Sequence, residues 1–121
     1  MASKILIVDD SVSMRQMVSY TLKENGFEVT EADNGKNGLS QAASINFDLI
    51  ISDINMPVMD GIAMLKELRA TDKNKFVPVL LLTTESGADK KSEGKAAGAT
   101  GWLVKPFNPD TLIATVKKVL H

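Results

Sequence analysis

The sequence predicts an α/β fold, a (βα)5 doubly wound parallel sheet of five strands in the order 2-1-3-4-5. Three observations point there. Short apolar runs alternate five times with segments of helical periodicity. The connections are short, so right-handed crossovers leave few topologies. The runs end in residues able to do chemistry, at Asp9-Asp10, Asp53, Thr83 and Lys105, where open α/β sheets place their sites. The strand order is one of the two common doubly wound orders. It suits this chain because runs one, three and four are the most continuously apolar and belong at the centre.

Strand one is expected at Lys4–Val8. Helix one follows, with Met14, Met17, Val18, Thr21 and Leu22 at the spacing of a core-facing stripe, and Asn25-Gly26 stops it. Strand two, Phe27–Ala32, has few apolar residues and reads as an edge. Asn34-Gly35 turns into helix two, with a weak stripe at Leu39, Ala42 and Ala43. Asp48 leads into strand three, whose apolar Leu49, Ile50 and Ile51 suit burial on both faces and end at Ser52-Asp53. Pro57 and Gly61 break the chain after it. Helix three begins near Asp60 and carries Ile62, Leu65 and Leu68. Pro78 opens strand four, Val79–Leu82, ending at Thr83. Helix four is expected within Ala88–Ala97. It reads as the weakest element, since Ser92, Gly94 and Lys95 sit mid-segment and interior glycine costs about 1 kcal/mol relative to alanine. Strand five, Gly101–Val104, ends at Lys105. Asn108-Pro109 is a cap with proline at the first helical position. Helix five then shows Leu112, Ile113, Val116, Val119 and Leu120 on one face.

A length of 121 residues fits one domain, 1–121, with a single core. There is no cysteine, and the one histidine is His121. Thiolate metal sites, histidine metal clusters and a Ser-His-Asp triad are therefore excluded. The apolar run Ile5–Val8 is too short for a signal peptide or a membrane span, so no membrane partner and a cytoplasmic location are expected. A net charge of −1 argues against nucleic acid as a partner. The charge is uneven: residues 1–75 carry 8 basic and 11 acidic side chains, residues 76–121 carry 6 and 4.

All strands of a parallel sheet point one way, so their ends meet at one edge. With strands one and three adjacent, Asp9, Asp10 and Asp53 converge. Two carboxylates about 4 Å apart repel by roughly 4 kcal/mol at an effective dielectric near 20. Such a cluster must share protons or bind a cation. Hard oxygen ligands point to magnesium, Mg2+. Lys105 would add a fixed positive charge and Thr83 a hydroxyl. Together they suit transfer of a phosphoryl group onto the Asp53 carboxylate. Each residue has a plainer reading: Asp9, Asp10, Ser11 or Ser13 could cap helix one, Thr83 could be a strand former, and Lys105 could be solvated. What is specific is the conjunction, one such group at the end of each of four buried strands.

These residues carry a resemblance. Val8-Asp9-Asp10-Ser11, Asp53 to Pro57, Asp60-Gly61, Thr83 and Lys105-Pro106-Phe107 resemble the receiver domain of two-component response regulators, whose fold is flavodoxin-like. The resemblance covers the whole chain. It implies Asp53 as phosphoacceptor, with Asp10 and the Asn55 backbone carbonyl joining it on magnesium. It implies that Asp9 acts through a metal-bound water and that Thr83 and Lys105 contact the phosphoryl group. Asn55 and Glu85 would flank that group and influence hydrolysis, and the Lys105–Pro106 bond would be cis. With no output domain appended, the chain most resembles single-domain chemotaxis regulators. A monomer is expected, receiving its phosphoryl group from a histidine kinase and binding the flagellar motor switch protein, with a phosphatase as a further partner. It would be a signalling protein whose only catalysis is its own phosphotransfer and dephosphorylation. One departure is Trp102, at a switch position where this family usually has tyrosine or phenylalanine. Trp102 and a rim of Lys90, Lys91, Lys95, Lys117 and Lys118 suggest a face for an acidic or amphipathic target peptide.

Three other readings compete. A haloacid-dehalogenase-like phosphatase would need a second aspartate two residues after the nucleophile, where this chain has Asn55. A flavodoxin-like electron carrier would need glycine and hydroxyl donors in its first loop, where Asp9-Asp10 would repel a phosphate. A stand-alone receiver could also serve as a phosphate sink or phosphorelay intermediate.

Overall fold

The computed structural model describes residues 3–83, 88–105 and 107–120, and for residues 88–91 the backbone alone. Ten elements alternate: β1 (Lys4–Val8), α1 (Val12–Glu24), β2 (Glu28–Ala32), α2 (Gly35–Ser44), β3 (Leu49–Asp53), α3 (Gly61–Arg69), β4 (Val79–Thr83), α4 (Ala88–Ala97), β5 (Gly101–Val104) and α5 (Pro109–Leu120). The strands form one parallel sheet in the order β2-β1-β3-β4-β5, as expected. β3 and β4 are buried throughout and β1 all but its first residue, whereas the two edge strands are partly exposed. That gradient is the reason the apolar content of each run revealed its place in the sheet.

Alternation of side chains along the strands divides the core in two. Leu6, Val8, Ile50, Val79 and Leu81 face α2, α3 and α4, packing on Ala42, Ile62, Met64, Leu65 and Leu68. Ile5, Ile7, Leu49, Ile51, Leu80 and Leu82 face α1 and α5, packing on Val18, Leu22, Leu112 and Val116. The helix starts are specified locally. Ser11, Asn34 and Asp60 each cap a helix by accepting the amide N–H three residues on, and Asn108 does the same for Thr111. Ser11 thus settles which residue caps α1. α1 ends at Asn25, and Gly26 takes the positive φ of 87° that its turn requires.

Three expectations need correction. Ala43 is exposed, and α2 instead lays Gly38 and Ala42 on the core. A Cβ at Gly38 would come within 2.8 Å of Met64 Sδ and 3.0 Å of Val8 Cγ2, so this glycine sets how closely α2 approaches β1. β2 begins at Glu28, because the Phe27 amide turns back to the Leu22 carbonyl. Gly94 is not simply a weak point in α4: it is buried, and a Cβ there would stand 2.7 Å from Leu81 Cδ1. The missing side chain brings α4 close onto β4. The far end of α4 is fastened too, since Arg69 donates from Nε and Nη2 to the Gly98 carbonyl at 3.2 and 2.8 Å.

Candidate functional site

The carboxyl ends of β1, β3, β4 and β5 form one edge of the sheet. Asp9, directly after β1, is fully buried. Its amide donates to the Ala32 carbonyl of β2 at 3.1 Å, and its Oδ1 accepts the Ser11 amide at 2.9 Å. Asp10 follows and is exposed. Asp53, the last residue of β3, is buried, with Oδ1 accepting the Ile54 amide at 2.8 Å. Carboxylate oxygens of Asp9, Asp10 and Asp53 all lie within 4.8 Å of one another. Into this cluster β5 delivers Lys105, whose Nζ stands 3.3 Å from Asp53 Oδ2 and 3.7 Å from Asp9 Oδ2. The Lys105 amide donates to the Thr83 carbonyl at 2.6 Å, which ties the end of β5 to the end of β4. Thr83 itself is buried there.

The electrostatics are frustrated. Burial pushes the Asp9 carboxyl up from its ordinary value, and Asp53 and Asp10 push the same way; the Ser11 amide and Lys105 pull it back. Asp9 Oδ2 is buried without a hydrogen-bond partner among the described residues. Among the described residues, one ammonium, that of Lys105, pairs with Asp53 and Asp9, two of the three carboxylates. A divalent cation is the natural complement of such a donor set: hard oxygens, with no histidine or cysteine among the three residues. The residues present therefore fit magnesium.

The loop from Asn55 to Asp60 holds the site from outside. Asn55 is exposed. Gly61 brings this loop against β3: its amide donates to the Ile54 carbonyl at 2.8 Å, and a Cβ on it would overlap the carbonyl oxygen of Asp53. Val58, a β-branched residue at φ 71°, sits under a Met59 N–H to Pro57 carbonyl bond of 2.8 Å. That is a γ-turn with positive φ, a strained conformation for valine.

The structure thus brings Asp9, Asp10, Asp53, Thr83 and Lys105 to one edge. Glu85 and the Lys105–Pro106 bond lie outside the described residues, as do the side chains of Lys90 and Lys91. Trp102 is away from the cluster on β5, half-buried and packed against the half of the core that faces α2, α3 and α4, and Lys95 is exposed on α4. Lys117 and Lys118 are exposed on α5. Trp102 and Lys118 border a recess of about 560 Å³ together with Leu80, Gly101, Thr115 and Val119.

Two contributors escaped the sequence reading. Gly61 looked like a chain breaker, whereas its role is close backbone approach. Arg15 gave no signal: its Nη1 donates to the Asp9 carbonyl at 2.8 Å, and its Nε pairs with Glu31 of β2 at 3.0 Å.

The chain belongs to the response regulator receiver domain family, whose sequence profile matches residues 5–117. Its relatives place it with the CheY-type chemotaxis regulators, which are signalling proteins. It is 42% identical to the chemotaxis protein CheY of Pseudomonas aeruginosa over 119 residues, 98% of this chain and 96% of that protein. The fold superimposes on the chemotaxis response regulator CheY4 of Vibrio cholerae with a TM-score of 0.95, at 55% identity, covering 99% of this chain and 100% of that one. It also matches the receiver domain of the sensor histidine kinase PA1611 of P. aeruginosa, with a TM-score of 0.92, 26% identity and coverage of 99% and 98%; that structure holds a magnesium ion coordinated in the active-site cleft. Among the described residues no helix is long and apolar enough to cross a membrane.

Proposed function

We propose that this chain, acting as one cytoplasmic, monomeric domain over residues 1–121, is switched by phosphorylation of Asp53. The observation that carries the proposal is the placement of the Lys105 ammonium 3.3 Å from Asp53 Oδ2, beside three carboxylates within 4.8 Å of one another. The donor is the phosphohistidine of a chemotaxis-type histidine kinase. A carboxylate oxygen of Asp53 forms the new O–P bond as the donor's N–P bond breaks; the electron pair returns to the imidazole, which then takes up a proton. The Ile54 amide on Oδ1 fixes the rotation of the Asp53 carboxylate. Lys105 moves its charge from that carboxylate to a phosphoryl oxygen, and the Thr83 hydroxyl donates to another. Asp9, Asp10, Asp53 and the Asn55 backbone carbonyl would hold magnesium, Asp9 through a water; the ion supplies charge neutralisation for the transferred oxygens. By the family resemblance, Asn55 and Glu85 influence how fast the phosphoryl group is hydrolysed, and a separate phosphatase can shorten its life further.

The output partner is the flagellar motor switch protein, through an acidic or amphipathic segment. Lys95, Lys117 and Lys118, with Lys90 and Lys91 on the same helix as Lys95, supply complementary charge, and Trp102 beside the 560 Å³ recess supplies an aromatic anchor. A second reading, a phosphate sink or relay intermediate, draws on the likeness to a receiver domain of a sensor kinase. Pull-down against motor switch proteins and a histidine phosphotransfer domain separates the two.

The direct test incubates the chain with a small acyl phosphate and magnesium. Wild type is expected to form an acid-stable, hydroxylamine-labile acyl phosphate, and Asp53→Asn to form none. Phosphate retained by the variant and mapped to another residue would overturn the assignment.

A further inference from the structure

The sheet edge explains where Asp9 and Asp10 stand, but not what keeps their directions fixed. Both lie in a loop between β1 and α1, and Asp10 is exposed. The peptide unit joining them is the critical hinge, because rotating it swings Asp10 relative to Asp9. Its carbonyl, that of Asp9, accepts Nη1 of Arg15 at 2.8 Å. The same guanidinium is anchored through Nε to Glu31 at 3.0 Å, and its side chain is largely buried. Glu31 precedes Ala32, whose carbonyl takes the Asp9 amide. Arg15 is itself held in the first turn of α1, its amide donating to the Ser11 carbonyl at 3.0 Å. Three elements thus converge on one peptide plane.

We infer that Arg15 is a positioning residue for the metal site: its guanidinium, braced by Glu31, locks the Asp9–Asp10 peptide and so aims Asp10 at the cation. The inference rests on the reading of the acidic cluster as a magnesium site. The planar fork of arginine suits the task, since one nitrogen grips a carbonyl while another grips a carboxylate; lysine, a point charge on a flexible stem, cannot do both in fixed geometry. Magnesium demands near-octahedral ligand placement, so angular looseness in a ligand lowers affinity. The brace also gives edge strand β2 a part in the site, although β2 contributes no ligand.

Charge and geometry pull in opposite directions here, which makes the idea sharp. Removing a cation from the neighbourhood of three carboxylates should by itself tighten magnesium binding. Removing a brace should weaken it. The experiment measures magnesium affinity by titration calorimetry, and urea midpoints in EDTA, for wild type, Arg15→Met, Arg15→Lys, Asp10→Ala and the Arg15→Met/Asp10→Ala double variant. Arg15→Met is expected to weaken binding on the order of tenfold, the range seen when partners that orient metal ligands are lost. Arg15→Lys should weaken it comparably, although the charge is kept. In the Asp10→Ala background the Arg15→Met loss should largely vanish, since the residue being aimed is gone. Unchanged or tighter binding in Arg15→Met overturns the inference, and so does a tenfold loss that persists without Asp10, which would mark general loosening of the fold. If wild type itself takes up no magnesium, the site reading fails first and the brace has nothing to orient.

Discussion

Replacing Asp9 by asparagine should make the metal-free protein more stable. In the native chain the Asp9 carboxylate gains from Lys105 at 3.7 Å, about 4 kcal/mol at an effective dielectric near 20. It loses to two carboxylates within 4.8 Å, each costing at least about 3.5 kcal/mol on the same scale before screening. Solvent screens the share of exposed Asp10. Repulsion and attraction therefore come close to balancing, which leaves the cost of burying a charge fully out of water. Asparagine keeps an oxygen for the Ser11 amide and removes the charge. The expected gain at neutral pH is about 1–3 kcal/mol, read as a rise in urea midpoint with EDTA present. Magnesium reverses the ranking: wild type at a hundred times its dissociation constant gains about 2.7 kcal/mol, and the weaker-binding variant gains less. The pH dependence has a definite sign. Asp9 is shifted upward in the fold, so the folded chain holds that proton more tightly than the unfolded one. Metal-free wild type therefore loses stability as pH rises from the unfolded value through the folded one. The variant lacks that slope, and its advantage should shrink towards zero in acid. A variant less stable than wild type in EDTA at neutral pH, or an advantage unchanged in acid, would refute the reasoning.

Other substitutions probe the frame. Gly61→Ala should destabilise by about 2–3 kcal/mol, because the new Cβ meets the Asp53 backbone rather than a movable side chain; magnesium affinity should fall with it, and a stable variant with native affinity would show the loop has room to shift. Val58→Asn should stabilise the fold by about 1 kcal/mol, read as a rise in urea midpoint, relieving a β-branched residue at positive φ on a side chain that is 77% exposed and so loses little packing. Ser19→Ala should likewise stabilise by about 1 kcal/mol, since the Ser19 hydroxyl is buried without a partner among the described residues; a loss of stability there would reveal a bond to water or to an undescribed residue.

The strands were legible because burial on both faces demands continuous apolar runs, and the runs stop where function needs polar groups. Asp53 and Thr83 close strands β3 and β4, and Asp9 and Lys105 lie just past the ends of β1 and β5, so topology alone brought them together. Helix starts were legible for a similar reason, since Asn34, Asp60 and Asn108, which mark them, act on amides three residues away; of these, only Asn108 reads as a cap from sequence. The illegible parts act at long range or through the main chain. Arg15 serves a backbone carbonyl and a carboxylate sixteen residues on, and neither leaves a spacing to detect. Gly94 read as a helix weakness because propensity is local, whereas its partner, Leu81, lies on strand β4. Ala42 was legible, but Ala43 failed because two glycines, Gly35 and Gly38, take the other buried positions of α2, and glycine carries no hydropathic signal.

The acidic cluster and the apolar sheet beneath it have to be considered together. A cluster of three carboxylates and one lysine is a poor stabiliser in isolation, and on a flexible loop it would relax by moving apart. Here β1, β3 and β4 are pinned by buried side chains on both faces, so Asp9 and Asp53 cannot separate without disturbing both halves of the core. The low-dielectric surroundings strengthen the repulsion and the Lys105 attraction alike. What the sheet stores at its edge is thus an unmet demand for positive charge, at Asp9 Oδ2 most of all. A cation that enters gains its own coordination energy together with the repulsion it relieves. The rigidity of the core therefore sets the affinity of the edge. By this logic, substitutions that loosen packing at the opposite end of β3 from the cluster, such as buried Leu49→Ala, should weaken magnesium binding in step with the stability they remove, whereas equally costly substitutions at the outer end of α5 should leave it unchanged.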